Sequence, residues 1–346
     1  MNETKLMFNL GILKHFVNNA LQLSYERKGV TGFEFIVPLM EAAAHNTYVE
    51  TVSDKTDTLY LRAKNSLRSR MSYAYLNYIR RVSEKIGLQK KPVVLAFDYT
   101  DEEFYGNVQG LDIHGWNGKE GVTGHFKFIT CSIISDDIPE KIPLISIPIR
   151  LGHYKSSVIL HCLSLIKEYI GEIKLIIFDR GFYDKDLMYE LAKWKYPYLI
   201  FVPKYKDKKE ILYPMDTEEK IAIYNDFKVN KSKSTYPGEN ILIFLKQIFD
   251  PRSEKNYDWV FATNVEGLPL DTLVATYKKR WRIETQFRVQ DEARIKCKSV
   301  EMHIRYFLFL FEQMLQVQWI CFFKEEASFK EFIIAMAAMS HKWTKS

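Results

Sequence analysis

Lys90-Lys91-Pro92-Val93-Val94-Leu95-Ala96-Phe97-Asp98 is the stretch that decides the fold. The proline breaks the preceding pattern, and five consecutive apolar residues then read as a strand buried on both faces, closed by an aspartate. Lys174-Leu175-Ile176-Ile177-Phe178-Asp179 repeats the arrangement. In an open sheet, ligands bind beyond the carboxyl ends of the strands, so two parallel neighbours ending this way bring both carboxylates within reach of one cation. A lone strand-end aspartate is more often a turn former. Here the repetition points to a site. Asp101, Glu102 and Glu103 are alternatives to Asp98, which is preferred because it directly ends the apolar run.

Before this strand the sequence reads as helix, with stretches at Glu34–Ala44 and from about Asp54 to Ile86. After it, Phe126–Ile134 and Ile142–Leu151 read as strands. Ser156–Ile170 reads as helix, and Lys174–Phe178, a helix near Lys185–Lys195 and the run Tyr198–Val202 follow. Strands that first meander and then alternate with helices indicate a mixed α/β sheet. From Pro203 to about Pro269, lysine-rich turns separate short strands such as Ile241–Leu245 and Trp259–Ala262, the pattern of a β-rich insertion. Asp271–Lys298 reads as one long helix, and Arg305 onward as further helix. The expected division is 1–90 helical, 91–203 the first part of the α/β domain, 204–270 the insertion and 271–346 its C-terminal helices.

With 47% apolar and 27% charged residues, the chain is neither disordered nor fibrous. The net charge of +6 is mild, but its distribution is uneven. Between Tyr60 and Lys91, nine basic residues, among them Arg68, Arg70, Arg80 and Arg81, face the single acid Glu84. Tyr73, Tyr75 and Tyr78 are interleaved with them. That combination suits a polyanionic partner and is weighed against a merely solvated helix face. Cys131, Cys162, Cys297 and Cys321 form no metal-binding or disulfide spacing, which suits a reducing compartment. The apolar stretch Tyr306–Phe323 is interrupted by Glu312, Gln313, Gln316 and Gln318, so it reads as a buried helix and not a membrane span. His114, His125 and His153 are expected to be structural, and Gly115, Gly118, Gly121 and Gly124 to mark a long hairpin or loop.

On a helix, Tyr277, Arg280, Glu284, Arg288 and Asp291 fall within roughly 40° of one line. An exposed face of ion pairs would look like this. So would a metal-binding carboxylate with phosphate-holding neighbours.

The segment Tyr277-Lys278-Lys279-Arg280-Trp281-Arg282-Ile283-Glu284 resembles the Y-x2-R-x3-E-x6-K signature of one large branch of prokaryotic insertion-sequence DDE transposases. Asp98-Tyr99-Thr100 with Tyr105-Gly106 resembles that branch's first-aspartate region. Asp179-Arg180-Gly181-Phe182-Tyr183 resembles its second. The likeness spans about Val93 to Lys298 and includes the insertion. At the signature's last position stands Asp291 in place of lysine; Arg288 is the nearer substitute, and Lys298 is placed too far along the expected helix.

The resemblance implies an RNase H-like five-stranded mixed sheet with flanking helices, in which Asp98, Asp179 and Glu284 bind two Mg2+ ions, with Mn2+ able to substitute. It implies cutting of element ends and joining of the freed 3'-hydroxyl to target DNA, with Tyr277, Arg280 and Arg288 on DNA. The basic helical region would recognise terminal inverted repeats, and Trp259 is a weaker candidate to stack on a displaced base. The implied partners are double-stranded DNA and a second copy of the chain, and the expected location is the prokaryotic cytoplasm, at the nucleoid. A nuclease of the same fold that hydrolyses without joining, and a catalytically silent DNA-binding descendant, are the alternatives.

Overall fold

The computed structural model describes residues 1–23, 31–115, 118, 120–203, 220–224, 240–250 and 253–345. Four helices come first: α1 Glu3–Leu21, α2 Gly32–His45, α3 Thr56–Asn65 and α4 Arg68–Ile86. The Asn2 side chain caps α1 by accepting from the Thr4 and Lys5 N–H groups, and Thr31 and Glu34 form a capping box on α2. The helix expected from Asp54 to Ile86 is broken in two. Ser66 and Leu67 are extended, and the Ser66 hydroxyl donates to the Ala20 carbonyl, a tertiary bond that outweighs local helix propensity.

The strands and helices that follow are β1 Val93–Phe104, β2 Ile113–Gly115, β3 Gly124–Ile133, β4 Pro143–Ile149, α5 Lys155–Ile166, β5 Ile173–Phe178, α6 Lys185–Lys193 and β6 Tyr198–Phe201. β4, β3 and β1 pair antiparallel, whereas β1, β5 and β6 pair parallel. The resulting order, β4-β3-β1-β5-β6, is the five-stranded RNase H-like arrangement. β2 pairs with β3 as a hairpin at the glycine-rich stretch, of which residues 116, 117 and 119 lie outside the described residues.

The segment read as an insertion contributes β7 Ile221–Tyr224, β8 Ile241–Asp250 and β9 Lys255–Thr263; most of 204–239 lies outside the described residues. β9 pairs antiparallel with β6, β8 with β9 and β7 with β8, so the described strands form one nine-stranded sheet. β8 is buried on both faces. Leu242 and Phe244 enter the core on one face of the sheet, and Ile241, Ile243 and Leu245 the core on the other. This segment therefore continues the central sheet.

The two cores explain what lies above each face. Val93, Leu95 and Phe97 of β1, with Ile176 and Phe178 of β5, join the larger core, which contains α1–α6 and α9 Met302–Phe322. The intervening Ala96, Leu175 and Ile177 join the smaller core beneath α7 Leu273–Lys278 and α8 Trp281–Gln290. Strand alternation thus carries Asp98 and Asp179 to the α7–α8 face.

α9 is buried around nearly its whole circumference, and its polar residues are bonded inside. Ser146 donates to Gln313 Oε1 at 2.9 Å, and Gln318 Nε2 donates to the Asn9 carbonyl at 2.9 Å. Among the described residues no helix is long and apolar enough to cross a membrane. α10 Phe329–Lys345 closes the chain against α2 and α1.

Candidate active site

β1 and β5 lie in parallel register, Phe97 opposite Phe178, with their rings stacked at 5.3 Å. The next residues are Asp98 and Asp179. β1 runs on to Phe104, so Asp98 does not end its strand as expected; it stands where pairing with β5 stops and pairing with β3 continues. The Tyr99 and Phe182 rings stack at 4.3 Å and tie the strand carrying the first aspartate to the turn that follows the second.

The third acid arrives from above. The single helix expected over Asp271–Lys298 is instead two helices joined by a tighter turn. Lys279, Arg280, Arg282 and Ile283 N–H groups donate to carbonyls three residues back. In such a turn residues i and i+3 eclipse, which stacks Tyr277 under Arg280; the α-helical spacing that follows brings Glu284 over Arg280. The two unequal gaps in the sequence, two residues and then three, match this change of winding.

Arg280 is the meeting point. Its Nη1 donates to Asp98 Oδ2 at 2.7 Å, its Nη2 donates to Glu284 Oε1 at 2.7 Å, and Nη2 lies 3.8 Å from Asp179 Oδ1. Tyr277 donates its hydroxyl to Asp179 Oδ1 at 3.3 Å from a ring packed on Phe201, Trp259 and Phe261. The Arg280 side chain is 7% exposed, Asp179 32% and Glu284 42%, so the cation is buried and two of its acids face solvent.

Burial pushes the Asp98 carboxyl up to about 6, and the negative charges of Asp179 and Glu284 add to this, against Arg280 and the Tyr99 N–H. Burial works against the Arg280 charge, but the carboxylates around it, Asp98 foremost, raise its pKa overall. Burial also raises that of the Tyr277 hydroxyl, which stays protonated and able to donate.

An all-oxygen, carboxylate-rich donor set suits hard divalent cations, and a buried guanidinium touching all three acids marks the spot where positive charge is favoured. The residues fit a metal in chemistry. The acids point at the guanidinium, and among the described residues no three acidic, histidine or cysteine side chains are placed to hold an ion as they stand.

Other expected residues fall elsewhere. Arg288 is exposed on α8, one turn beyond Glu284. Asp291 sits in the turn that ends α8, where its carbonyl accepts from Asn46 Nδ2 at 3.1 Å. Lys298 is not helical. The chain after Ala293 is extended, Lys296 N–H donates to the Thr47 carbonyl at 3.0 Å, and Lys298 Nζ lies 4.7 Å over the Tyr48 ring.

On α4, Arg70, Arg80 and Arg81 are exposed, while Arg68 forms a bidentate pair with Asp112 at 2.8 and 3.1 Å. Of the interleaved tyrosines only Tyr73 is exposed. Tyr75 and Tyr78 are buried because they lie on the apolar stripe of α4, with Tyr75 donating to the Pro143 carbonyl at 2.6 Å. The buried side chains of α4 belong to the larger core, whereas Tyr277 belongs to the smaller one. Trp259 is half-buried against Tyr277, with Lys278 Nζ 5.7 Å from its ring.

A second acid cluster joins residues far apart in the sequence. Glu102 of β1 accepts from Arg305 Nη1 at 3.2 Å, and Glu312 accepts the Ile295 N–H at 2.7 Å; Arg294 is packed alongside. Its members stand out in the sequence only separately, Glu102 as an alternative first acid and Glu312 as a carboxyl inside an otherwise apolar helix.

Residues 154–310 match the family described as "Transposase DDE domain", a span that takes in Asp179 and Glu284 and begins after the strand of Asp98. Over that span the chain is similar to the DDE transposases, enzymes that cut and transfer DNA strands with divalent metal ions. In structure the chain is similar to a piggyBac transposase, solved by cryo-electron microscopy as a synaptic complex with hairpin DNA. The TM-score is 0.53 and the identity 14%, over 99% of this chain and 81% of that one. That likeness extends the shared fold over almost the whole chain. An endonuclease V from Ciona intestinalis, solved with a DNA 23mer containing inosine, aligns at a TM-score of 0.31 and 10% identity, over 66% of this chain and 100% of that one. No curated protein matches the sequence.

Proposed function

We propose that Asp98, Asp179 and Glu284 are the catalytic acids of an insertion-sequence transposase that cuts its element's ends and joins them to target DNA. The observation that carries this reading is their convergence from β1, β5 and α8 on the one guanidinium of Arg280. They would hold two Mg2+ ions, with Mn2+ able to substitute; such ions activate the attacking oxygen and stabilise the leaving one. The chain itself orients the acids. The Tyr99 N–H fixes Asp98 at 2.8 Å, and the Tyr277 hydroxyl steadies Asp179 from a ring held in an aromatic cluster. Water is the attacking group in the cut and the element's 3'-hydroxyl in the joining step, so one set of acids serves both.

For the DNA, Tyr277 and Arg280 are assigned to a phosphate beside the cut, Arg288 to the backbone beyond it, and Arg70, Arg80 and Arg81 to the terminal inverted repeats. Arg68 belongs to that group by sequence, but its pair with Asp112 leaves it a supporting role in holding α4. Between the end of β1 and the extended segment after α8 lies a cavity of about 760 Å3 whose lining includes Arg294, Lys296 and Lys298 on one side and Glu102 and Glu103 of β1 on the other. We assign the DNA strand leaving the acids to this cavity, and to Lys296 and Lys298 the task expected of the signature lysine. Paired cutting of two ends calls for a homodimer on DNA, working at the nucleoid.

The test is cleavage and joining by purified protein, in Mg2+, on duplexes carrying the element's ends. Wild type is expected to give both nicked and strand-transfer products, and Glu284→Gln neither. Joining by Glu284→Gln would remove that residue from the site, and hydrolysis without joining by wild type would make the protein a nuclease.

A further inference from the structure

Arg280 stands where a cation is wanted, and it is itself a cation. Its two Nη atoms touch all three carboxylates, while its buried Nε has no hydrogen-bond partner among the described residues. The guanidinium is therefore well paired on one edge and unsatisfied on the other, an arrangement that costs free energy unless something further is to accept from it.

Charge makes the arrangement conditional. Three carboxylates and one guanidinium leave the cluster two charges negative, which favours Arg280 in place; two divalent ions added to it would leave the cluster two charges positive. A buried guanidinium beside two such ions is strongly repelled unless an anion arrives with them. A DNA phosphodiester is that anion, and the planar fork of arginine suits its paired oxygens.

The backbone allows such an exchange. Arg280 lies at the tight turn between a helix of six residues and one of ten, so its side chain can swing without disturbing a long helix. The Tyr277 ring, 5.9 Å from the guanidinium carbon, offers a face that stabilises the cation as it moves. Asp179 and Glu284 are partly open to solvent, giving ions a way in.

We propose that Arg280 is an exchangeable counter-ion. Without metal, its guanidinium holds the three acids together; when divalent ions enter, it is displaced onto a DNA phosphate. Ion binding and DNA binding then reinforce each other through one side chain, and by linkage the coupling is the same in both directions. This rests on the reading that the three acids hold divalent ions. Arg280 is in this respect a positioning residue whose effect is legible in binding, apart from turnover.

The experiment compares full-length wild type, Arg280→Gln and Arg280→Lys by calorimetric titration with Mn2+ in the absence of DNA. It then measures binding of a short labelled duplex with and without Ca2+, which takes the same oxygen ligands. Arg280→Gln is expected to bind Mn2+ about tenfold more tightly than wild type, the size of one charge-assisted hydrogen bond no longer in competition. Wild type is expected to bind the duplex more tightly when Ca2+ is present, and Arg280→Gln to lose that dependence. Arg280→Lys, which keeps the charge but not the fork, should fall between them, and it carries the test if the glutamine variant does not fold.

Unchanged or weaker Mn2+ binding in a variant that melts at the wild-type temperature overturns the proposal. Uptake of Mn2+ by wild type that is abolished by Glu284→Gln but indifferent to Arg280 would sink the exchange alone. No uptake sensitive to Glu284→Gln would sink the assignment of the acids and the exchange with it.

Discussion

β1 carries two acid clusters, four residues apart, and they differ in what surrounds a similar pairing. At Asp98 a buried arginine meets three carboxylates, two of them open to solvent, and its Nε has no partner among the described residues. At Glu102 a buried arginine meets one carboxylate and is otherwise satisfied. Arg305 Nη2 donates to the Cys297 carbonyl at 2.9 Å, its Nε donates to the Ser299 carbonyl at 2.7 Å, and its guanidinium lies 4.3 Å over the Phe126 ring. Burial of a charged pair thus does not by itself mark a site. What distinguishes the first cluster is surplus negative charge with a route to solvent, while the second uses its charges to pin α9 and the segment after α8 to the sheet.

The largest expected difference separates the clusters by activity. Asp98→Asn should abolish strand cleavage while leaving the melting curve nearly intact, and Glu102→Gln should keep cleavage per folded molecule. If the two outcomes are exchanged, the first catalytic acid is Glu102, one of the alternatives the sequence leaves open. A smaller effect, on stability, runs the other way. Arg305→Met should destabilise the protein by about 3–5 kcal/mol in urea titrations, because it leaves Glu102 buried without its partner. A cost near zero would mean that the second cluster is solvated and that the contrast with the first fails.

The sheet and both aspartates were legible because a strand buried on two faces has a strong local signature, and Asp98 and Asp179 inherit their place from the in-register runs before them. Glu284 was legible through its spacing from Tyr277 and Arg280. The change of winding between those residues was not, since hydrogen bonds to carbonyls three or four residues back look alike in apolar periodicity. Helix ends fared worst. Ser66 breaks one helix by a bond to Ala20, and the Lys296 N–H holds the chain after α8 extended by a bond to the Thr47 carbonyl; both depend on residues distant in sequence. The tyrosines of α4 are interleaved with basic residues in sequence, but the apolar stripe of the helix buries Tyr75 and Tyr78 and leaves only Tyr73 exposed. Arg305 and Glu102 lie 203 positions apart, which no local pattern could join.

The finest test of the comparison is Glu312, the carboxyl most deeply sealed in the second cluster. Burial, with the neighbouring Glu102 charge adding to it, holds its pKa well above the ordinary carboxylate range; the Ile295 N–H, Arg294 and Gln290 oppose this without reversing it. The folded protein therefore keeps a proton that the unfolded chain releases. Stability contributed by that proton is fully present below the unfolded carboxylate value and is lost as pH rises toward the folded one. Glutamine removes the proton while its carbonyl oxygen can still accept from Ile295, now at 2.7 Å from Oε1. Glu312→Gln should thus match wild type near pH 4 and melt higher than wild type toward pH 8, with a flatter pH profile and unchanged cleavage. A variant that melts lower at pH 8 would show that Glu312 is ionised and paired in the fold, making the second cluster a true counterpart of the first.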